Sequence, residues 1–158
     1  MSGVDNIKIN DIMIKKVFFV FPETKIREAS ALMEKHRIHG LPVVEGKKVV
    51  GIVTETDFFV RGLSGFHLPS YIDFIKNIKM TDYIGNNDRK NEKIKKILNI
   101  RVKDIMTKRC ITVNSDMTVK KLFEMFNKTK LQVFPVVKKD GTLVGIVTLM
   151  DFIKFLKI

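Results

Sequence analysis

The chain repeats its own pattern. Residues 11–44 lie on residues 104–137 without a gap: Asp11-Ile12-Met13 matches Asp104-Ile105-Met106, and Pro42-Val43-Val44 matches Pro135-Val136-Val137. One extra residue in the second copy's turn then shifts the register. After it, Val50-Gly51-Ile52-Val53-Thr54 matches Val144-Gly145-Ile146-Val147-Thr148, and Asp57-Phe58 matches Asp151-Phe152. The matches fall at fixed places in one series of apolar runs and turns, so any fold must build the same unit twice. At 158 residues the result is one domain, or two small halves sharing a core.

Each copy predicts the same elements. Val17 to Phe21 and Cys110 to Val113 are short apolar runs that read as strands. Pro22-Glu23-Thr24 and Asn114-Ser115-Asp116 follow as turns with polar residues suited to an N-cap. Amphipathic helices come next, with Ile26, Ala29 and Met33 on one face of the first and Val119, Leu122 and Phe126 on one face of the second. Buried strands at Leu41–Val44 and Phe134–Val137 lead into hairpin turns at Glu45-Gly46-Lys47 and Asp140-Gly141. The return strands are Val49–Val53 and Leu143–Val147, and closing helices begin near Thr54 and Thr148. The chain therefore reads as an α+β protein of two units, 7–61 and 101–158, around an insert at 62–100.

The insert has patterns of its own. Pro69 starts a helix that places Tyr71, Phe74, Ile75 and Ile78 on one side. Gly85-Asn86-Asn87 is a loop, and 88–98 reads as a second helix with Ile94, Ile97 and Leu98 on one face. Basic residues run through it and into the second copy: Arg89, Lys90, Lys93, Lys95, Lys96, then Arg101, Lys103, Lys108 and Arg109. A solvated face is the ordinary role of such a helix, so residues 69–98 are expected to lie on the repeats with their lysines outward.

Composition narrows the class. Apolar residues make up 45% of the chain, with 12 Phe, 8 Met and no Trp, enough for a packed interior. The longest apolar runs fall far short of a membrane span, and the first ten residues lack the apolar core of a signal peptide. Cys110 is the single cysteine, which excludes an internal disulfide and a cysteine zinc cage and leaves an ordinary buried thiol in a strand. A cytoplasmic protein is the simplest expectation. The net charge of +12 attracts anions, whether nucleotides, nucleic acid or an acidic membrane, without choosing among them; a solvated Lys-rich surface accounts for it equally.

The most suggestive stretch is Gly51-Ile52-Val53-Thr54-Glu55-Thr56-Asp57, echoed at Gly145-Ile146-Val147-Thr148-Leu149-Met150-Asp151. In each, a buried strand turns into a helix, with a Thr and, three residues on, an Asp beside free backbone N–H groups. Helix capping explains one such copy as well as ligand binding does. Two copies in matching contexts favour a shared role. Sequence signatures for a P-loop, a His-Glu-x-x-His zinc site and a Gly-x-Ser-x-Gly nucleophile elbow are absent, so the reading is a binding protein and not an enzyme.

Strand, helix, Pro-Val-Val strand, glycine hairpin and Gly-h-h-Thr-x-x-Asp-h, in that order and twice over, resembles the tandem cystathionine-β-synthase (CBS) domain pair, or Bateman module. The resemblance covers about 11–60 and 103–157. It implies two β-α-β-β-α repeats packed through their sheets with pseudo-twofold symmetry, and two clefts between them that take AMP, ADP, ATP or S-adenosylmethionine. No cofactor is required; an adenine nucleotide is the regulatory ligand of a stand-alone module acting on an enzyme or transporter. It also implies a homodimer, for which apolar helix faces at Phe58, Phe59, Phe152, Ile153 and Leu156 are the expected contact.

Carried over residue by residue, one cleft uses Asp57 for the ribose hydroxyls, Thr54 and Thr56 beside it, His39 as phosphate partner, and a wall from Thr107, Ile111 and Leu131. His36 with His39 is too sparse a set for a metal. The other cleft uses Asp151 and Thr148, with a wall from Ile14, Phe18 and Ile38. It departs from the pattern: Gln132 stands for His39, Met150 for Thr56 and Ile14 for Thr107, so it is expected to be empty or to take a neutral nucleoside. Two other function classes remain at this level: a nucleic-acid or anionic-surface binder working through the basic insert, and a structural dimerisation module with empty clefts. Steep salt dependence would mark the first.

Overall fold

The computed structural model describes residues 6–60 and 99–156. The helices expected within 69–98 lie outside the described residues. In chain order the elements are α1 (Ile9–Ile12), α2 (Ile26–His36), β1 (Gly40–Glu45), β2 (Lys48–Thr54), α3 (Glu55–Val60), α4 (Val102–Ile105), β3 (Thr107–Lys108), β4 (Val113–Asn114), α5 (Val119–Thr129), β5 (Val133–Val137), β6 (Leu143–Thr148) and α6 (Leu149–Leu156).

The amphipathic spacing holds in both main helices. Ile26, Ala29 and Met33 of α2 and Val119, Leu122 and Phe126 of α5 are buried. Both helices end on a left-handed residue, Arg37 (φ 52°) and Lys130 (φ 59°), whose N–H returns to a carbonyl of the last turn. The two hairpins also form as expected, with Gly46 (φ 60°) and Gly141 (φ 85°) supplying the left-handed turn position.

Two local expectations change. Val17 to Phe21 is not a strand: only Val20 pairs, in a single parallel bridge to Val43, and its counterpart is reduced to the two-residue β4. Val20 alone is buried, and Phe19 and Phe21 on either side of it face solvent, so the run has no face to hold in a ladder. The helix caps also shift. The residue before α2 is Lys25, with no side-chain cap, while Thr24 Oγ1 instead accepts from Phe21 N–H at 3.0 Å. In the second copy Thr118 caps α5, and Asn114 Oδ1 holds its own turn by accepting from Asp116 N–H.

The sheets run β1-β2-β3 and β4-β5-β6, in chain order, but the first of them crosses the boundary between the two copies. β3, which opens the second copy, pairs with β2 of the first (Gly51 with Lys108, Ile52 with Thr107). Ile14 of the first copy bridges Ile146 of β6. Each copy thus extends a short arm into the other. The arms obey the repeat in detail: Ile9 N–H donates to Met117 O at 2.9 Å as Val102 N–H donates to Thr24 O at 2.8 Å, and the bridge Lys8–Thr118 mirrors Lys25–Arg101. Asp11 and Asp104 accept from the N–H of Lys8 and Arg101, capping the two arm helices alike. This is the pseudo-twofold symmetry in hydrogen bonds.

The cores show the same exchange. Val102, Ile105 and Met106 are buried with Val20, Met33, Leu41, Val53 and Phe58, whereas Ile9 is buried with Val113, Leu122, Phe134, Val147 and Phe152. Gly51 and Gly145 sit where the arms cross. A Cβ on Gly51 would stand 2.7 Å from Thr107 O, and one on Gly145 would stand 2.5 Å from Met13 Sδ and 3.2 Å from Ile14 O. The glycines are there for close approach of backbone, not for a turn.

The apolar faces offered as a dimer contact need correction. Phe58 and Phe152 are 2% and 6% exposed, each buried in its own half, because the helix carrying it closes over the sheet. Ile153 stays exposed and Leu156 half-buried. Cys110 is half-buried beside β3 and outside any strand, and burial pushes its thiol up to about 11.

Candidate functional site

Both Thr-x-x-Asp motifs fold into the same knot at a strand-to-helix junction. Asp57 Oδ2 accepts from Thr54 N–H at 2.8 Å and from Thr54 Oγ1 at 2.9 Å. Asp151 Oδ2 accepts from Thr148 N–H at 2.9 Å and from Thr148 Oγ1 at 2.6 Å, and Asp151 N–H donates back to Thr148 Oγ1 at 3.2 Å. Capping is therefore real in both copies, and it consumes one carboxylate oxygen in each. A carboxylate has about four acceptor positions, so each Asp keeps Oδ1 for something else.

The two differ in what meets Oδ1. Asp57 is 7% exposed, the only charged side chain of the described residues buried to that degree. Its Oδ1 faces Thr107 Oγ1 at 3.4 Å, a long contact across the exchanged arm. Such a distance places the hydroxyl and the free oxygen side by side without closing a strong bond, which leaves both able to engage a third group. Asp151 is half-buried, and Ile14 occupies the position related to Thr107.

The surrounding residues assemble around the strand ends. Gly40 pairs with Thr54, and a Cβ on Gly40 would meet Thr54 Cγ2 at 3.4 Å and Val133 Cγ1 at 3.5 Å. Val133 thus brings the end of the second copy's helix, with Leu131 and Gln132, beside the Thr54 knot. Ile111 and Leu131 present apolar surface to solvent, 45% and 42% exposed. Thr56 is exposed. On the other side Ile14 is exposed, while Phe18 and Ile38 are half-buried against the first core. Met150, in the place of Thr56, is 57% exposed.

His39 lies next to the Thr54 strand end and is paired with Glu55. Its Nδ1 lies 3.1 Å from Glu55 Oε2, and its carbonyl accepts from Glu55 N–H at 3.3 Å. The Gly40–Thr54 pairing puts His39 opposite Glu55, so the register of the hairpin carried this signal although the linear motif did not. Glu55 and Val133 are the two site neighbours that the sequence reading missed. His36 is engaged elsewhere, stacked on Phe18 with ring centroids 3.7 Å apart. Among the described residues no group of His, Cys, Asp and Glu is placed to hold a metal, and no helix is long and apolar enough to cross a membrane.

Known proteins share this fold. The family model for the CBS domain matches residues 9–62 and 102–158. An uncharacterized protein of Methanocaldococcus jannaschii is 31% identical over 94% of this chain and 90% of its own length. Inosine-5'-monophosphate dehydrogenase of Korarchaeum cryptofilum is 32% identical over 91% of this chain, which spans only 23% of that enzyme's length. The crystal structure of CBSX2 in complex with AMP superposes with a TM-score of 0.70 at 23% identity, covering 96% of each chain.

Proposed function

The chain belongs to the CBS-domain family, and from that premise we propose that it is a sensing module that binds an adenosine-containing ligand between its two repeats. The observation that carries this reading is Oδ1 of buried Asp57, held only by a long 3.4 Å contact from Thr107 Oγ1 of the exchanged arm. A buried carboxylate is costly unless its oxygens are hydrogen-bonded. The Thr54 knot satisfies only one of them. The two adjacent hydroxyls of a ribose match the other, and no monodentate phosphate does so. The exposed apolar side chains of Ile111 and Leu131 supply a wall for a purine. Binding of AMP by a neighbouring fold, CBSX2, agrees with this chemistry.

The Asp57 side is the adenine-nucleotide site, with Thr54, Thr56 and Thr107 as hydroxyl partners. His39 reaches a phosphate only by leaving Glu55. The Asp151 side, with Ile14 and Met150 exposed in place of hydroxyls, suits a ligand whose 5' end carries no phosphate. The protein acts in the cytoplasm by binding rather than by catalysis, assembles as a homodimer, and passes ligand occupancy to an enzyme or transporter. Ligand drawing Asp57 and Thr107 together would tighten the arm on β2, which gives the signal a route.

A thermal-shift panel of AMP, ADP, ATP, S-adenosylmethionine, NAD and GTP tests the reading. A ligand that binds only the folded state raises the midpoint, by about 2.7 kcal/mol of stability at a hundredfold excess over Kd. Adenosine ligands should shift it and GTP should not. A flat response to every adenosine ligand, repeated by calorimetry, would sink the proposal and leave the Thr-x-x-Asp motifs as caps.

A further inference from the structure

The tips of the two hairpins meet. Lys48 bridges Thr142, Val49 N–H donates to Gly141 O at 3.2 Å, and Leu143 N–H donates to Lys47 O at 3.0 Å. Each tip carries a lysine pair beside its turn glycine: Lys47-Lys48 after Gly46, and Lys138-Lys139 before Gly141. Along the same edge of β2, Arg109 N–H donates to Val50 O at 3.2 Å, which brings Lys108-Arg109 within two residues of the tip. Lys15-Lys16 hold the related place after the Ile14–Ile146 bridge. All four basic pairs are exposed, and none enters the ion pairs formed among the described residues.

The carboxylates of the two turns offset these cations only in part. Asp140 is exposed and bonded to Thr142, with Oδ1 accepting the N–H at 3.0 Å and Oδ2 the hydroxyl at 2.9 Å. Those bonds, with Lys48 nearby, hold its carboxyl below the usual carboxylate range. Glu45 is the other carboxylate at these turns.

We propose that this hairpin end binds single-stranded nucleic acid. Clustered exposed cations collect a polyanion by releasing its condensed counterions. The choice of a single strand rests on Phe19 and Phe21, 44% and 52% exposed and in edge-to-face contact at 5.6 Å. Val20 between them bridges Val43, and Val44 N–H donates to Val20 O at 2.9 Å, so Phe21 runs beside β1 close to Gly46. Exposed aromatics next to cations are a platform for unpaired bases. A duplex keeps its bases stacked and paired, out of reach of such a platform. A lipid surface would want apolar residues at the tips, where the chain has Glu45-Gly46-Lys47 and Lys139-Asp140-Gly141. The surface is separate from the Thr54–Asp57 knot, since Lys48 and Thr54 stand at opposite ends of β2, about 20 Å apart at the usual strand rise.

Fluorescence anisotropy of the whole chain with labelled oligothymidylate tests it. The parent should bind, with an affinity falling on a log–log salt plot by about 0.7 per phosphate neutralised. Joint replacement Lys47→Glu, Lys48→Glu, Lys138→Glu and Lys139→Glu should weaken binding at least about tenfold and flatten that slope. Phe21→Ala should weaken it about fivefold to a hundredfold through lost stacking. Both variants should keep the parent's response to AMP, which separates failure here from failure of the adenosine site. If charge reversal prevents folding by circular dichroism, the four Lys→Gln changes make the same comparison. Unchanged affinity in the lysine variants overturns the proposal. So does duplex competing as well as single strand with Phe21→Ala silent, and so does capture by phosphatidylserine vesicles without oligonucleotide binding.

Discussion

Asp57 and Asp151 stand on matching knots, yet one is nearly sealed and the other half open. The knots come from the chain's own helix starts, Thr54 and Thr148, so the repeat copies them faithfully. What faces the knots comes from the opposite copy's arm. There the repeat has diverged: Thr107 reaches Asp57 Oδ1, while Ile14 takes that place on the other side. A tandem repeat can thus preserve a frame in both halves and differentiate two sites through the residues that cross between them.

The largest expected effect breaks the comparison at the arms. Ile9 is 0% exposed inside the second half although it belongs to the first copy. Ile9→Ala should cost about 2–5 kcal/mol of stability, the usual loss for truncating a buried Ile. Hydrogen exchange should place the loosening around β6 and α6 first. A change confined to the residues of β1 and β2 would mean that the arm does not support the second half.

At the knots the contrast is in ligand affinity. Asp57→Ala should lose about 1.5–3 kcal/mol of AMP binding, roughly tenfold to a hundredfold, and Asp151→Ala should lose little at the same ligand concentration. Calorimetry on the two variants decides it. Equal losses would make the sites equivalent or coupled; loss in Asp151→Ala alone would reverse their order.

The crossing glycines sharpen the comparison further. Gly51→Ala sets a Cβ 2.7 Å from the backbone oxygen of Thr107, which cannot swing away, and should cost about 1–3 kcal/mol. Gly145→Ala meets first the end of the flexible Met13 side chain, at 2.5 Å, and should cost less. Urea unfolding of both gives the order; a larger loss in Gly145→Ala would mean that Met13 is the more tightly held.

The smallest effect concerns Cys110, next to the arm that serves the Asp57 side. Burial pushes its thiol up to about 11. The folded state therefore holds its proton longer than the unfolded chain, and stability should decline slightly as pH rises from about 9 through 11. Cys110→Ser should remove that decline. The thiol should also react slowly with disulfide reagents at pH 8. Fast reaction would place it nearer solvent than its burial implies.

Much of this was legible in the residues. Ile26, Ala29, Met33, Val119, Leu122 and Phe126 reported both main helices because helical burial recurs at a local spacing. Gly46 and Gly141 reported the hairpins because a left-handed turn position selects for glycine. The Thr-x-x-Asp knots were visible for the same reason: their partners lie three residues apart. The strand expected at Val17 to Phe21 failed because only Val20 of that apolar run is buried and paired, while Phe19 and Phe21 face solvent. The pairing of His39 with Glu55 was also out of reach of a linear motif, since only the strand register sets them side by side.

The sequence by itself determined that two like units form, where each hairpin turns, and which faces of the two main helices are buried. The tertiary structure alone decided that the arms are exchanged, so that Ile9 and Val102 complete each other's cores and Thr107 stands over Asp57. The physical reason is that the arms are placed by backbone hydrogen bonds, Ile9 N–H to Met117 O and Val102 N–H to Thr24 O among them. Main-chain donors and acceptors are the same in every residue but proline, so such pairings leave almost no mark on the side chains that a sequence displays.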